Sequence, residues 1–260
     1  MSANEDFILD IVARYLGDRM GAQMSVLNDI PWKERQQLMD DGEVDVAWIC
    51  GYPYVLRADK PGANIELLAA PVVRGERYRN EPVYFSDVVV RQASQFRTFA
   101  DLRGASWVYN EPLSHSGYNV VRYHLASLGL SWDFFGRMVE SGYHLSSLQK
   151  VLRGEADASA IDSIVLELEA IRNPGLMAQL RIVESLGPSP IPPFVASKTL
   201  SPELRMILAD LLTHMSEEDS GRAALSRAHM LRVSHVEDKD YDSIRRMYRE
   251  GMGLINRQPK

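Results

Sequence analysis

Asn110-Glu-Pro-Leu-Ser-His-Ser-Gly-Tyr-Asn119 separates a short apolar run, residues 105–109, from an amphipathic one in which Val120, Val121, Tyr123, His124, Leu125 and Leu128 recur at helical spacing. The pattern predicts a strand that feeds a helix through a hydroxyl-rich turn. At such a junction the first backbone N–H groups of the helix point outward with the positive end of its dipole. Ser114 and Ser116 add hydroxyl donors beside them. A turn of this composition is a cradle for an anion. The plainer assignment is that Ser114 or Ser116 only caps the helix, the commoner task of a serine at that place. The residues of the turn leave both open.

Outward from this turn, strands and helices alternate. Helical spacing covers residues 4–20 and 32–39, and short apolar runs predict strands at 24–27, 44–49, 65–73 and 83–90. Beyond the strand at 106–109 and the helix at 116–128, a short strand or helical turn is expected at 135–139. A helix at 144–152, a strand at 156–161, a helix at 164–171 and a strand at 180–186 follow. From Ser201 onward the pattern is helical in three pieces, broken near 219–221 and around Ser234. Short, continuously apolar strands alternating with helices predict an α/β protein with mostly parallel sheets flanked by helices. Two segments interrupt the alternation, residues 84–91 and the proline-rich 187–193, and both read as crossings between lobes. The chain then divides into a discontinuous lobe, 1–86 plus 188–260, and a continuous one, 87–187.

Composition narrows the function classes. In 260 residues, hydrophobic types make up 45% and charged types 25%, an ordinary globular balance that argues against disorder. The net charge of −6 argues against a nucleic-acid partner, since binding phosphate backbones needs a basic face. The basic cluster Arg245, Arg246 and Arg249 follows Glu237, Asp238, Asp240 and Asp242 and reads as a solvated helix face. A single cysteine, Cys50, excludes an intrachain disulfide and a multi-cysteine metal site. His115, His124, His214, His229 and His235 show no metal-ligand spacing, so no metal or cofactor is expected. No apolar stretch is long enough to span a bilayer. The first residues are acidic and polar with no visible signal peptide, which as written reads as cytoplasmic.

Several segments, in order, resemble the phosphonate- and phosphite-binding proteins of ABC importers: Gly42-Glu-Val-Asp-Val-Ala-Trp-Ile-Cys-Gly-Tyr-Pro-Tyr54, Tyr84-Phe-Ser-Asp-Val-Val-Val90, Asp101-Leu-Arg-Gly104, Ser114-His-Ser-Gly-Tyr118, Ser141-Gly-Tyr-His144 and Gly154-Glu-Ala-Asp-Ala-Ser-Ala-Ile-Asp-Ser163. The resemblance covers most of the chain and implies the two-lobed type II periplasmic-binding-protein fold, with a ligand cleft between lobes. It implies an oxyanion held by the Ser-x-Ser-Gly-Tyr turn, with a binding set of Tyr52, Tyr84, Ser114, His115, Ser116, Gly117, Tyr118, His144 and Asp162. The implied function is capture of a phosphonate, phosphite or phosphate-like anion by closure of the lobes, by a monomer that serves the membrane subunits of a periplasmic ABC importer. It implies no catalytic residue. Each residue also has a duller assignment. Tyr52 and Tyr54 serve as packing aromatics, Tyr84 as a strand core residue, His144 as an ordinary helix-start residue, and Asp157 as a turn or strand-entry residue.

Two departures from the family pattern bear on this reading. Family members usually begin with a strand that runs into the first helix, whereas helical spacing here starts almost at Met1, so the first strand of the first lobe is expected to be missing, through a truncated start or an unusual gene. Binders of aminoalkylphosphonates carry carboxylates that face the amine, but here the return segment is Pro190-Ile-Pro-Pro193 and position 164 is Ile, so a simpler oxyanion is expected. Two other functions fit the fold. One is a cytoplasmic ligand sensor, consistent with the lack of an export signal. The other is an enzyme related to the thiamine-pyrimidine synthases, which the single cysteine disfavours.

Overall fold

The computed structural model describes residues 6–28 and 30–255. In chain order the elements begin α1 (Asp6–Met20), α2 (Trp32–Asp40), β1 (Val46–Trp48), α3 (Gly51–Ala58), β2 (Ile65–Val73) and β3 (Val83–Arg91). They continue with β4 (Ser106–Tyr109), α4 (Val120–Ser127), β5 (Arg137–Glu140), α5 (His144–Arg153), β6 (Ala158–Asp162), α6 (Ser163–Arg172), α7 (Leu176–Gln179) and β7 (Leu180–Pro190). The last are β8 (Phe194–Ser197), α8 (Pro202–Thr213), α9 (Asp219–Arg227), β9 (Met230–Ser234) and α10 (Asp242–Ile255). Among the described residues two compact units result: those of 6–83 with Pro190–Asp242, and Tyr84–Ser189 with 243–255.

In the first unit the strand order is β1-β8-β2-β9, and each neighbouring pair is antiparallel. A register shift between Leu67 and Ala69 lets β2 leave β8 and continue along β9, where Ala70 faces Ser234. Trp48 closes β1 onto β8 by stacking on Phe194 at 5.7 Å, and its indole N–H donates to the Pro192 carbonyl at 2.7 Å. Tyr54 in α3 packs edge-on against Tyr241 and donates its hydroxyl hydrogen to Asp238 at 2.7 Å, so this tyrosine is a packing residue.

The second unit holds a sheet of order β5-β4-β6-β3-β7. Strand periodicity sorts its core onto two faces. Val88, Val90, Trp107, Ala158 and Ala160 share one face with Val120, Val121 and Leu125 of α4. Val89, Val108 and Ile161 share the other with Leu148 and Val151 of α5 and Val165 of α6. Helices on both faces are what makes these strands continuously apolar. Met247 of α10 joins the first of these clusters, and the Arg122 guanidinium lies 5.4 Å over the Tyr248 ring. The C-terminal helix thus packs with the second unit from Ser243 onward. The grouping of 188–260 read from sequence differs there.

Several expectations change. Parallel pairing is found where β4 meets β5 and β6, while β3 and β6 are antiparallel, so the second sheet is mixed and the first is antiparallel throughout. Continuous apolar runs report burial on both faces, and strand direction does not follow from it. Residues 24–27 form no strand; Leu27 is half exposed and the segment pairs with no sheet. Strands β8 and β9 were not anticipated, and β9 falls inside a stretch read as helical. With only Met230 and Val233 fully buried in five residues, β9 is too short for periodicity to separate strand from helix. Positions 4 and 5 of the first helix lie outside the described residues.

Candidate ligand-binding site

After β4 the chain does not enter an α-helix directly. Residues His115–Asn119 form a π-helical turn in which the Asn119 N–H reaches back to the Ser114 carbonyl at 3.0 Å. Ser114 precedes it as an N-cap, with its hydroxyl oxygen accepting from the Gly117 N–H at 3.0 Å. The capping role is therefore filled by Ser114. The wide turn leaves the N–H groups of Ser116 and Tyr118 outside its own ladder, at the positive end of the helix that follows.

A second helix start is drawn to the same place. The Ser141 N–H donates to the Tyr109 carbonyl at 2.9 Å and the Gly142 N–H to the Asn110 carbonyl at 2.8 Å, which joins the loop before α5 to the loop after β4. Gly142 sits at φ +86°, a conformation that favours glycine. This stitching sets His144, the first residue of α5, against the turn: its Nε2 lies 3.0 Å from the Ser116 hydroxyl oxygen. Burial pushes His144 down to about 3, so the imidazole is neutral at physiological pH. Its Nδ1 is buried without a partner.

From the sheet side, Ser86 on β3 donates to the Ser116 carbonyl at 2.5 Å, and Ser86 stands opposite Asp162 in the register of β3 and β6. Asp162 caps α6 by accepting from the Ile164 N–H at 2.8 Å. Among the sequence candidates, Ser114, Ser116, Gly117, His144 and Asp162 are thus assembled around one turn. Two participants escaped the sequence reading. Ser86 sits in a strand that read only as apolar. Asn110 lies under the turn, so close that a Cβ on Gly117 would stand 1.9 Å from its Oδ1. The glycine at 117, which leaves room for that contact, was the signal the sequence offered.

The remaining candidates have other surroundings. His115 is fully buried, and its ring is committed at both nitrogens: Nε2 lies 2.9 Å from the Ser189 hydroxyl and Nδ1 3.1 Å from the Asn119 amide nitrogen. Arg122 donates to the Asn119 Oδ1 at 2.7 Å, which fixes that amide. Its nitrogen therefore donates to Nδ1, and Nε2 carries the His115 hydrogen, donated to Ser189. Burial holds His115 down to about 3, in keeping with a neutral ring. The side chain is a strut of the turn, with no ring nitrogen left for a ligand. Tyr118 leans on Tyr109 and Trp132, with centroids at 5.2 and 4.8 Å. Tyr84 is buried on β3, its ring 6.3 Å from His115. Tyr52, buried in α3, belongs to the first unit. Asp157, the strand-entry candidate, clasps the start of β4 by accepting from the Ser106 N–H at 2.9 Å and its hydroxyl at 2.6 Å. Among the described residues, no group of three or more His, Cys, Asp and Glu side chains is placed to hold a metal ion.

A family model described as ABC transporter, phosphonate, periplasmic substrate-binding protein matches residues 8–241. The chain belongs to this family. Phosphonate-type binding proteins are also among the solved structures it resembles. One is the binding-protein component of an ABC phosphonate transporter from Pseudomonas aeruginosa: 19% identity, TM-score 0.86, covering 98% of this chain and 84% of that one. Another is PhnD1 from Prochlorococcus marinus in complex with methylphosphonate, at 18% identity and TM-score 0.81, covering 94% and 92%. A third is the periplasmic aliphatic sulphonate binding protein SsuA from Escherichia coli, at 16% identity and TM-score 0.61, covering 99% and 86%. This phosphonate-family chain has the type II periplasmic-binding-protein fold. No helix among its described residues is long and apolar enough to cross a membrane.

Proposed function

We propose that this chain is a substrate-binding protein that captures a small phosphorus oxyanion (phosphonate, phosphite or phosphate) and delivers it to the membrane subunits of an ABC importer in the periplasm. The observation that carries the proposal is the pairing of Ser116 and His144 between two helix starts, with the Ser116 and Tyr118 amides beside them. The Ser116 hydroxyl, turned toward the ligand by the neutral imidazole behind it, and two amides form a donor set suited to an anion with several oxygens, each of which accepts fixed hydrogen bonds. Asp162 borders this set, and Tyr84 supplies an apolar wall. Tyr52 enters through closure of the two units on the ligand, which a ligand drives only if it binds the closed form better. The protein works as a monomer and without catalytic turnover: Ser116 pairs with His144, but the His144 Nδ1 meets no acceptor that would orient the ring as a base.

A thermal-shift screen against phosphite, methylphosphonate, phosphate, sulfate and small carboxylates tests this. A ligand at a hundred times its Kd stabilises the folded form by about 2.7 kcal/mol, which corresponds to roughly 5–10 °C in a chain of this size. A rise of that order with phosphorus oxyanions is expected. Stabilisation by carboxylates with none by any phosphorus oxyanion would refute the proposal.

A further inference from the structure

Two polar atoms are buried without a partner at the same turn of the second unit: Oδ1 of Asn110 and Nδ1 of His144. Both residues are more than nine-tenths buried, at 7% and 6% exposure. Gly117 lies between them. A Cβ there would stand 1.9 Å from the Asn110 Oδ1 and 3.2 Å from the His144 Cε1, so amide oxygen and imidazole edge face the same glycine. Buried polar atoms are almost always satisfied in a working protein, and two orphans at one helix start point to a group that arrives from outside.

The chemistry of the pair says what that group must carry. An amide oxygen only accepts. When the Ser116 hydroxyl hydrogen turns to a bound anion, the His144 Nε2–H donates to the Ser116 oxygen, 3.0 Å away, and Nδ1 is left as a bare lone pair. The turn then presents donors, at the Ser116 hydroxyl and the amides, beside two acceptors. A fully ionised oxyanion satisfies the donors but sets its own lone pairs against the acceptors. An anion that keeps one hydrogen on oxygen satisfies both.

We infer that Asn110 is a specificity-determining residue of this site: its Oδ1, beside the His144 Nδ1, accepts a hydrogen bond from a protonated oxygen of the ligand, selecting monoprotonated phosphorus oxyanions over sulfonates of the same shape. This rests on the proposed function and deepens it. The test is calorimetric titration with methylphosphonate and methanesulfonate at about pH 5.5, below the second ionisation, about 6, of a phosphate ester. The two ligands share size, tetrahedral shape and a single negative charge, and differ in the P–OH. Wild-type protein is expected to favour methylphosphonate by more than about tenfold, and Asn110→Ala to cut that ratio by about tenfold. Asn110→Asp, which keeps an acceptor in place, retains the preference even as overall affinity falls. Equal wild-type affinities, or an unchanged ratio in Asn110→Ala, would overturn the inference while leaving the phosphorus-oxyanion function standing. A wild type that binds no phosphorus oxyanion overturns both. Should Asn110→Ala fail to fold, the wild-type ratio together with Asn110→Asp decides: loss of the preference in Asn110→Asp counts against the inference.

Discussion

Lowering the pH from 7.5 to 5 should destabilise this protein chiefly through His115 and His144. Burial pushes both imidazoles down to about 3, against an ordinary value of 6.5. Below pH 6.5 the unfolded chain therefore binds two protons that the folded chain refuses. Stability is fully present above that pH and declines as pH falls toward about 3. Each histidine contributes a slope of up to about 1.4 kcal/mol per pH unit, hence about 2 kcal/mol at pH 5 and about 4 kcal/mol for the pair. His124 and His229 are also held low by burial and add in the same direction, while the exposed His214, held up by its contacts with Asp210, works the other way. Urea unfolding followed by circular dichroism at pH 7.5, 6.5, 5.5 and 5.0 measures the slope. His115→Gln removes one titrating group and should cut the slope between pH 6 and 5 by roughly half of the pair's share, even though the variant starts from a lower stability. A His115→Gln slope equal to that of the wild type would show that the ring is not held neutral between Asn119 and Ser189. The assignment of its tautomer would fall with it.

Three further outcomes are expected. Ser116→Ala removes a donor to a charged acceptor and should weaken methylphosphonate binding by about ten- to a hundredfold in calorimetry; unchanged affinity would place the anion elsewhere. Gly117→Ala puts a methyl group onto Asn110 and His144, so it should abolish detectable binding and lower unfolding stability by about 1–3 kcal/mol, and normal affinity in this variant would contradict the close approach at the turn. Asp157→Ala strips two acceptor contacts from the start of β4 and should cost about 1–3 kcal/mol in urea unfolding while leaving ligand affinity within about twofold, so a large loss of affinity without loss of stability would reverse its assignment as a structural clasp.

The sequence by itself determined what local rules govern. The apolar run of β4, the switch to helical spacing at Val120 and the serine-rich turn between them are short-range signals, and the turn lies where they placed it. The bounds of β2 were equally legible, because nine residues with turns at both ends leave little latitude. What the local pattern could not carry is anything set by partners distant in the chain. Strand direction is one such property. β3 and β6 read as apolar runs whichever way they run, and only their register, Ser86 opposite Asp162, makes them antiparallel. β9 is another, since five residues become a strand only because β2 bends to receive them. The division of labour among Ser114, His115 and Ser116 is a third. All three carry groups suited to an anion, but Ser114 caps the turn, His115 is consumed by Asn119 and Ser189, and Ser116 meets a histidine from another helix. Asn110 shows the limit most clearly. Its side chain is unremarkable in sequence, and its significance comes from a buried oxygen left without a partner against Gly117. Satisfaction of buried polar groups is a property of the packed interior, and only the tertiary structure records it.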